Sequence, residues 1–557
     1  MPYPYENLEN FTLTSFINRS IELYPDAPAL SKVQEDAITY KEIENIAKDL
    51  IVLLQENGIQ KGDKVALLSE NMPNWAIAYL SVTYFGAIIV PILPDFHKAD
   101  VHHIIRHSEA KAIFVSEKHL ATVEELEDSG LHFVVKLDTL ELIDELTNHS
   151  YLSMIKQKIT SKKDLTVPEE NDMAALLYTS GTTGHSKGVM LSHKNLVTNA
   201  MSAYKNVSIN SNDVFLSILP LAHTLECTVG LLVPLLHGAQ VVYINKTPTP
   251  SVLLKAFSIV KPTMMVSVPL IIEKIYKNKV LPKFTSSFLM KNIYKIPFAR
   301  KKLNKIAGKK LIETFGGRLR FFGIGGAGIS RFVEEFLKES GFPYIIGYGL
   351  TETSPLIAGG YISHESKVGS TGPAMVGVEI KIDNAGTNSK DGEILVKSPS
   401  VMLGYYKDEA QTKEVLSEDG WFKTGDLGYI DDDGYLFING RSKNVIIGPA
   451  GENIFPEQIE ARINQHEAVI DSLVMQRVDG KVIAKVHLDY ELIDKMFKAN
   501  HTPDSQVKEK IQELLEDMRQ DVNSKISAYS RMVQFVEQID PFVKTPTKKI
   551  KRFLYMN

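Results

Sequence analysis

AALLYTSGTTGHSKG, residues 174–188, sets the reading of the whole chain. Ala174–Tyr178 is an apolar run of strand length. It leads directly into Thr179, Ser180, Gly181, Thr182, Thr183, Gly184, His185, Ser186, Lys187 and Gly188. Small residues in such a loop let backbone amides approach an anion, while the hydroxyls and Lys187 add further donors. The segment reads as a phosphate loop, against the plainer alternative of a flexible Gly/Ser/Thr turn. It is not a Walker A loop, because Lys187 stands between Ser186 and Gly188, where that motif needs a Gly-Lys pair followed by Ser or Thr.

Working toward the N-terminus, short apolar runs alternate with amphipathic segments: VALLSE from Val65, a helical stretch from Val101 to His107, AIFVS from Ala112 and FVV from Phe133. That alternation predicts α/β architecture with doubly wound parallel sheets, whose ligands sit in loops at the carboxyl ends of strands. Trp75–Pro94 carries no charge and is long enough to span a bilayer. Gly86 punctuates it as a left-handed cap, so the expected form is a buried helix from about Asn74 and a buried strand Ala87–Val90 stopped by Pro91.

The composition is that of a globular protein. Across 557 residues, 44% are hydrophobic and 23% charged, and the net charge of -5 is spread through mixed signs, so nucleic acid is not an expected partner. Cys227 is the only cysteine, which rules out an internal disulfide, and the start MPYPYENLEN has neither the basic nor the apolar part of a signal peptide. A cytoplasmic protein is expected. After about Asn439 the pattern changes, predicting a large N-terminal domain over 1–440 and a small mobile α+β C-terminal domain over 444–557, with a hinge near 441–443.

Together with three segments farther along the chain, YTSGTTGHSKG closely resembles the signatures of the adenylate-forming superfamily, which includes acyl-CoA synthetases, luciferases and peptide-synthetase adenylation domains. YTSGTTGHSKG itself resembles the phosphate-loop signature, and GYGLTETS, Gly347–Ser354, resembles the second. The resemblance implies that Tyr348 lies against adenine with Gly349 beside it, and that Thr351 and Glu352 serve the phosphates, Glu352 also holding magnesium. A carboxylate suits that hard cation, which lowers the charge cost of attack at the α-phosphate. GWFKTGDLGYIDDDGYLFINGRSKNVI, residues 420–446, resembles the third signature and implies that Asp426 and Arg441 hold the ribose hydroxyls. Asp431–Gly434 within it misses the spacing of a calcium loop and reads as a hairpin turn. GIGGAG, Gly323–Gly328, resembles the turn bordering adenine and the acyl carboxylate, which assigns Gly326 and Ala327 to the nucleotide and Gly325 to the substrate.

FVKTPTKKIKR, residues 542–552, resembles the family segment whose lysine bridges the substrate carboxylate and the α-phosphate, and the match places Lys549 there, preceded by Lys548 where glycine is usual. Lys443 occupies the hinge position. GPAGENIF, Gly448–Phe455, resembles the lining of the coenzyme A passage, with Gly451 keeping it open. SILPLAHTLE, Ser217–Glu226, resembles the segment that precedes an apolar helix along the acyl site of long-chain synthetases, with His223 near the carboxylate. A histidine in an apolar run is otherwise a structural residue.

The resemblance therefore implies an AMP-forming acyl-CoA synthetase using ATP, magnesium and coenzyme A, with a fatty acid, most simply a long-chain one, joined to coenzyme A through an acyl-AMP intermediate. Transfer to an acyl carrier protein, and activation of a medium-chain or aryl acid, are the alternatives. Residues 283–320 are notably basic, with Lys283, Lys291, Lys295, Arg300, Lys301, Lys302, Lys305, Lys309, Lys310, Arg318 and Arg320 against Glu313. Peripheral attachment to an anionic membrane is one reading of this segment, and a solvated basic face with its apolar side turned inward is the other. A homodimer is left open.

Overall fold

In the computed structural model, the described residues are 5, 8–126, 130–143, 167–179, 186–246, 248–285, 287–362, 366–383, 391–448, 452–499, 506–545 and 549–556. Two eight-stranded sheets form its centre. The first runs, in spatial order, Gly404–Tyr405, Lys187–Ser192, Met173–Thr179, Ile88–Ile92, Lys64–Leu68, Ala110–Val115, Phe133–Lys136 and Glu141–Leu142. The second runs Leu356–Gly359, Tyr344–Gly349, Phe321–Ile324, Met264–Ser267, Val214–Ser217, Gln240–Tyr243, Pro28–Lys32 and Ile38–Thr39. Both are parallel through the middle, as the alternation of strands and helices predicts, and antiparallel at the edges.

One antiparallel edge changes the setting of the phosphate loop. Met173–Thr179 and Lys187–Ser192 pair directly, with Thr179 opposite Lys187, so the loop joins two strands of a hairpin.

Helix Pro73–Tyr84 fills the space between the sheets and is buried on nearly every side, with Trp75 stacked on Tyr79 at 5.4 Å. Gly86 closes it at φ +81°. The next strand differs from expectation: it spans Ile88–Ile92 and runs through Pro91, which pairs with Leu67. The neighbouring strand Met173–Thr179 meets it at one position, Ile89 with Ala175. Beyond that point a residue without an N–H breaks no ladder on that flank. Among the described residues no helix is long and apolar enough to cross a membrane.

Asn71 joins the carboxyl ends of the two sheets. It follows strand Lys64–Leu68, donates to Ser217 Oγ (2.9 Å) and the Leu219 carbonyl (2.6 Å), and accepts from Leu221 N–H (2.8 Å). A four-stranded antiparallel sheet, Glu379–Asp383, Gly392–Lys397, Phe422–Ile430 and Leu436–Arg441, comes next in the chain. Its last two strands turn through Asp431–Gly434, closed by Asp431 N–H to the Tyr435 carbonyl at 3.0 Å. Beyond Arg441 comes the short turn Ser442–Asn444. The strands Val469–Gln476, Val482–Leu488 and Gln534–Glu537 then pack helices Pro456–Ile463 and Val507–Ser524 around a hydrophobic core of their own.

Candidate active site

Of the phosphate loop, Ser180, Gly181, Thr182, Thr183 and Gly184 lie outside the described residues, whereas its two ends, Thr179 and Lys187, are described. Thr179 Oγ1 is buried and has no hydrogen bond among the described residues, an unspent polar group at the mouth of a loop read as a phosphate cradle. Lys187 Nζ lies 3.2 Å from Glu352 Oε1, and both groups meet Tyr405: the ammonium donates to the phenol at 2.6 Å and the phenol donates to Glu352 Oε1 at 2.9 Å. The ammonium also sits 4.0 Å from the Tyr405 ring centroid. Tyr405 reaches this point because Gly404–Tyr405 pairs along the phosphate-loop hairpin, with Tyr405 opposite Val189. Burial beside the Glu352 carboxylate holds the Tyr405 phenol far above its ordinary range.

The loop bearing Thr351 and Glu352 is fastened from several sides. Asn199 donates to the carbonyls of Thr353 (3.1 Å) and Leu356 (2.9 Å) and accepts from Leu356 N–H (3.1 Å). Met402 N–H donates to the Glu352 carbonyl at 2.8 Å, and Thr228 Oγ1 to the Ser354 carbonyl at 2.8 Å. Glycine is required at 349, since a Cβ there would lie 1.7 Å from the Pro355 carbonyl oxygen.

Tyr348, Asp426 and Arg441 form a second group. Asp426 and Arg441 face each other across antiparallel strands, with Arg441 Nε at 3.1 Å from Asp426 Oδ1, while the Tyr348 hydroxyl donates to Asp426 Oδ2 at 2.8 Å. Burial raises the Asp426 carboxyl above the usual range, and Arg441 works against that rise. Tyr348 is only 9% exposed and packs with Ile357, Ala358, Ile394, Val396 and Leu436, so it supports the carboxylate from within the core as well as bordering the site.

Lys549 joins the two groups. Its backbone closes a small loop on Thr545, with Thr545 N–H to the Lys549 carbonyl at 2.7 Å and Lys549 N–H to Thr545 Oγ1 at 3.1 Å. The residue is exposed to solvent, with a dense protein environment on the side that faces Arg441, Asp426 and Glu352. Its pKa is lowered, first by burial and then by the Arg441 charge, with Asp426 and Glu352 opposing. Those four charges are therefore neighbours in space although they span nearly 200 residues. Lys548 and Gly451 lie outside the described residues, and Lys443 is exposed in the turn Ser442–Asn444.

His223 is in the same neighbourhood. Burial takes its imidazole down to about 4, and the Lys549 charge adds to the shift. Gly325 approaches Leu225 so closely that a Cβ would lie 3.1 Å from its Cδ2, which joins the Gly323–Gly328 turn to the Ser217–Glu226 segment. Gly326 in that turn takes φ +83° and Ala327 follows it. Behind His223 the chain winds as a fully buried π-helix, Glu226–Leu232. Ser217 Oγ donates to Glu226 Oε1 at 2.6 Å, and burial pushes this carboxyl up to about 8.

Sequence reasoning missed Tyr405, Asn199 and Thr228, and it passed over Glu226 as the last letter of a motif. A charged residue in the largely apolar stretch after Leu225 was a signal for Glu226. For the other three, the partners lie 53 to 218 positions away, which a single sequence does not reveal.

Comparison with known proteins gives the family of the chain. The chain is 29% identical over 547 residues to long chain acyl-CoA synthetase 7, peroxisomal, of Arabidopsis thaliana, covering 89% of this chain and 76% of that protein. It is 28% identical over 503 residues to the long-chain-fatty-acid–CoA ligase of Bacillus subtilis, covering 84% and 83%. Its fold matches that of o-succinylbenzoate coenzyme A synthetase (MenE) from Bacillus subtilis in complex with ATP and magnesium ion, at TM-score 0.74 and 22% identity, over 97% of this chain and 98% of that one. Residues 17–406 match the AMP-binding enzyme family. The chain belongs to that family of adenylate-forming enzymes.

Proposed function

We propose that this enzyme joins a long-chain fatty acid to coenzyme A through an acyl-AMP intermediate, releasing pyrophosphate and then AMP. The observation that carries the reading is the pairing of Glu352 with Lys187 and of Asp426 with Arg441, with the charges of Arg441, Asp426 and Glu352 all acting on Lys549. The names of the acyl-CoA synthetases to which the chain is similar support the choice of acid.

A carboxylate resists attack by a thiol because its charge and resonance repel nucleophiles and oxide does not leave. Adenylation removes both obstacles. The substrate carboxylate attacks the α-phosphate of ATP, and pyrophosphate departs toward the loop between Thr179 and Lys187. Lys549 offsets charge on the carboxylate and the transferring phosphorus centre, and the Asp426 carboxylate accepts hydrogen bonds from the ribose hydroxyls. Magnesium fits the donor set: Glu352 supplies one carboxylate, and the phosphates of ATP supply oxygens, the arrangement this ion prefers. When bound, the ion supplies charge neutralisation at the phosphates. Lys187 then passes from Glu352 to the outgoing pyrophosphate.

Thioester formation comes second, when the coenzyme A thiol attacks the acyl-AMP carbonyl. Between the two steps residues 444–557 rotate about the turn at Lys443, withdrawing Lys549 and bringing Gly448–Phe455, with Gly451, to line the thiol's passage. The buried, unpaired Cys227 suits a reducing compartment such as the cytoplasm.

The test is pyrophosphate release from the protein with ATP and magnesium across acids from acetate to stearate, with and without coenzyme A. Release that peaks with long acids and yields acyl-CoA bears the proposal out. Release without acyl-CoA points to a carrier-protein acceptor, and release peaking with a short or medium-chain acid overturns the substrate.

A further inference from the structure

Helices Phe288–Lys295 and Pro297–Thr314 form an outward-facing pair on the flank of the second sheet, and their inner faces are firmly held. The Tyr294 hydroxyl donates to Asn304 Oδ1 (2.9 Å), Asn304 and Arg300 both donate to Glu339, and Phe284 stacks on Tyr294 at 4.6 Å. Gly308 lies so close to Ser340 that a Cβ would come within 2.5 Å of its carbonyl oxygen. The pair is thus anchored in the fold. Arg300 and Arg320 are tied into it as well, Arg320 through Asp213, which removes both from the basic surface that the sequence suggested.

The outer face is unlike an ordinary solvated helix. Phe288 and Phe298 are each 83% exposed, Leu289 69% and Ile296 56%, the pair Phe288 and Leu289 opening the short helix and the pair Ile296 and Phe298 lying where the two helices meet. Interspersed with them along the segment are Lys283, Lys291, Lys295, Lys301, Lys302 and Lys305, each exposed. Along the long helix, Phe298, Lys301, Lys302, Lys305, Ile306 and Lys309 recur at three- and four-residue intervals, so lysines and apolar side chains share one outward stripe. Glu313 is the only acidic residue between 283 and 320.

We infer that this helix pair is a membrane-docking surface, in which Phe288, Leu289, Ile296 and Phe298 enter the headgroup and acyl boundary of an anionic bilayer while the surrounding lysines contact lipid phosphates. The chemistry favours a bilayer over a protein. Lysine is depleted at protein interfaces, where arginine is the usual cation, whereas at a membrane long lysine stems lie along apolar surface and keep their ammonium groups at the headgroups. Exposed aromatic tips on fixed helices also lose little conformational freedom on insertion. The surface does not depend on the catalytic reading, since its occupancy is measured without substrate.

The experiment is cosedimentation of the full chain with sonicated vesicles of phosphatidylcholine alone and of phosphatidylcholine with 30% phosphatidylglycerol, at low and high salt, for wild type and for F288S/F298S. Wild type is expected to bind the anionic vesicles at least about tenfold more tightly than the neutral ones, and high salt to weaken the binding. F288S/F298S should lose at least about fivefold on the anionic vesicles while keeping its pyrophosphate release with decanoate in vesicle-free buffer. Equal binding to both vesicles overturns the inference, and so does a double variant that binds like wild type. A wild-type dimer in solution that F288S/F298S converts to monomer also overturns it, by assigning the face to a second copy of the chain.

Discussion

Lys187 and Glu352 hold each other at 3.2 Å, with the Tyr405 hydroxyl bonded to both. In this arrangement the ammonium and the carboxylate neutralise each other. On the proposed roles, in which Lys187 meets the phosphates and Glu352 the cation, magnesium-ATP would exchange this one ion pair for two and leave neither charge uncompensated.

Tyr405→Phe tests this exchange. Removing the hydroxyl leaves the ring and its packing but takes a donor from Glu352 and an acceptor from Lys187. The magnesium concentration for half-maximal pyrophosphate release should rise by about three- to tenfold. An unchanged magnesium titration would show that the hydroxyl has no part in setting Glu352.

Lys549→Ala should lower adenylation by about a hundredfold or more. Thioester formation from supplied acyl-AMP and coenzyme A should fall much less. Lys548→Ala should leave adenylation within about threefold of wild type. Single-turnover assays of each half-reaction measure both, and the opposite ranking would move the bridging role to Lys548.

Glu226 predicts a pH dependence of stability. Its carboxyl titrates at about 8 when folded, against 4.5 for an ordinary glutamate, so between those values the folded chain keeps a proton that the unfolded chain has released. Stability from this group is full below pH 4.5 and declines as pH rises toward 8. Glu226→Gln keeps an acceptor for Ser217 and does not titrate. Its melting temperature should exceed that of wild type by a margin that widens from pH 5 to pH 8, and a constant margin would contradict the shift.

Gly349→Ala should cost about 3 kcal/mol or more, because its Cβ would enter the Pro355 carbonyl. Gly347→Ala is the control. Its Cβ would find its nearest neighbour at 3.7 Å, so the substitution should cost about 1 kcal/mol or less. Urea midpoints of the two variants make the comparison.

Local and long-range features are unequally legible in the sequence. Strand and helix positions in the first half follow from local periodicity, and so does the cap at Gly86, because both are set by neighbours a few residues away. Pro91 departs from expectation for the same reason: whether a proline ends a strand depends on how far the adjacent strand accompanies it, and that partner lies over 80 residues downstream. The residues named for chemistry came from recognisable motifs. What the sequence could not supply was the packing behind them, where a hydroxyl from Tyr405 or an amide from Asn199 has ordinary chemistry and gains a role only through position. The basic segment shows the converse, since Arg300 and Arg320 look like its other cations until Glu339 and Asp213 are seen beside them.

Asn199 sits on helix His193–Ser202, which begins where the phosphate-loop hairpin ends, and its single amide grips the carbonyls on both sides of the turn after Glu352. The hairpin and the loop bearing Glu352 are thus tied to each other by hydrogen bonds from the residues that follow one to the residues that follow the other. Exchanging either segment for that of a relative therefore disturbs its partner as well, through the Asn199 amide and through the Lys187–Tyr405–Glu352 contacts.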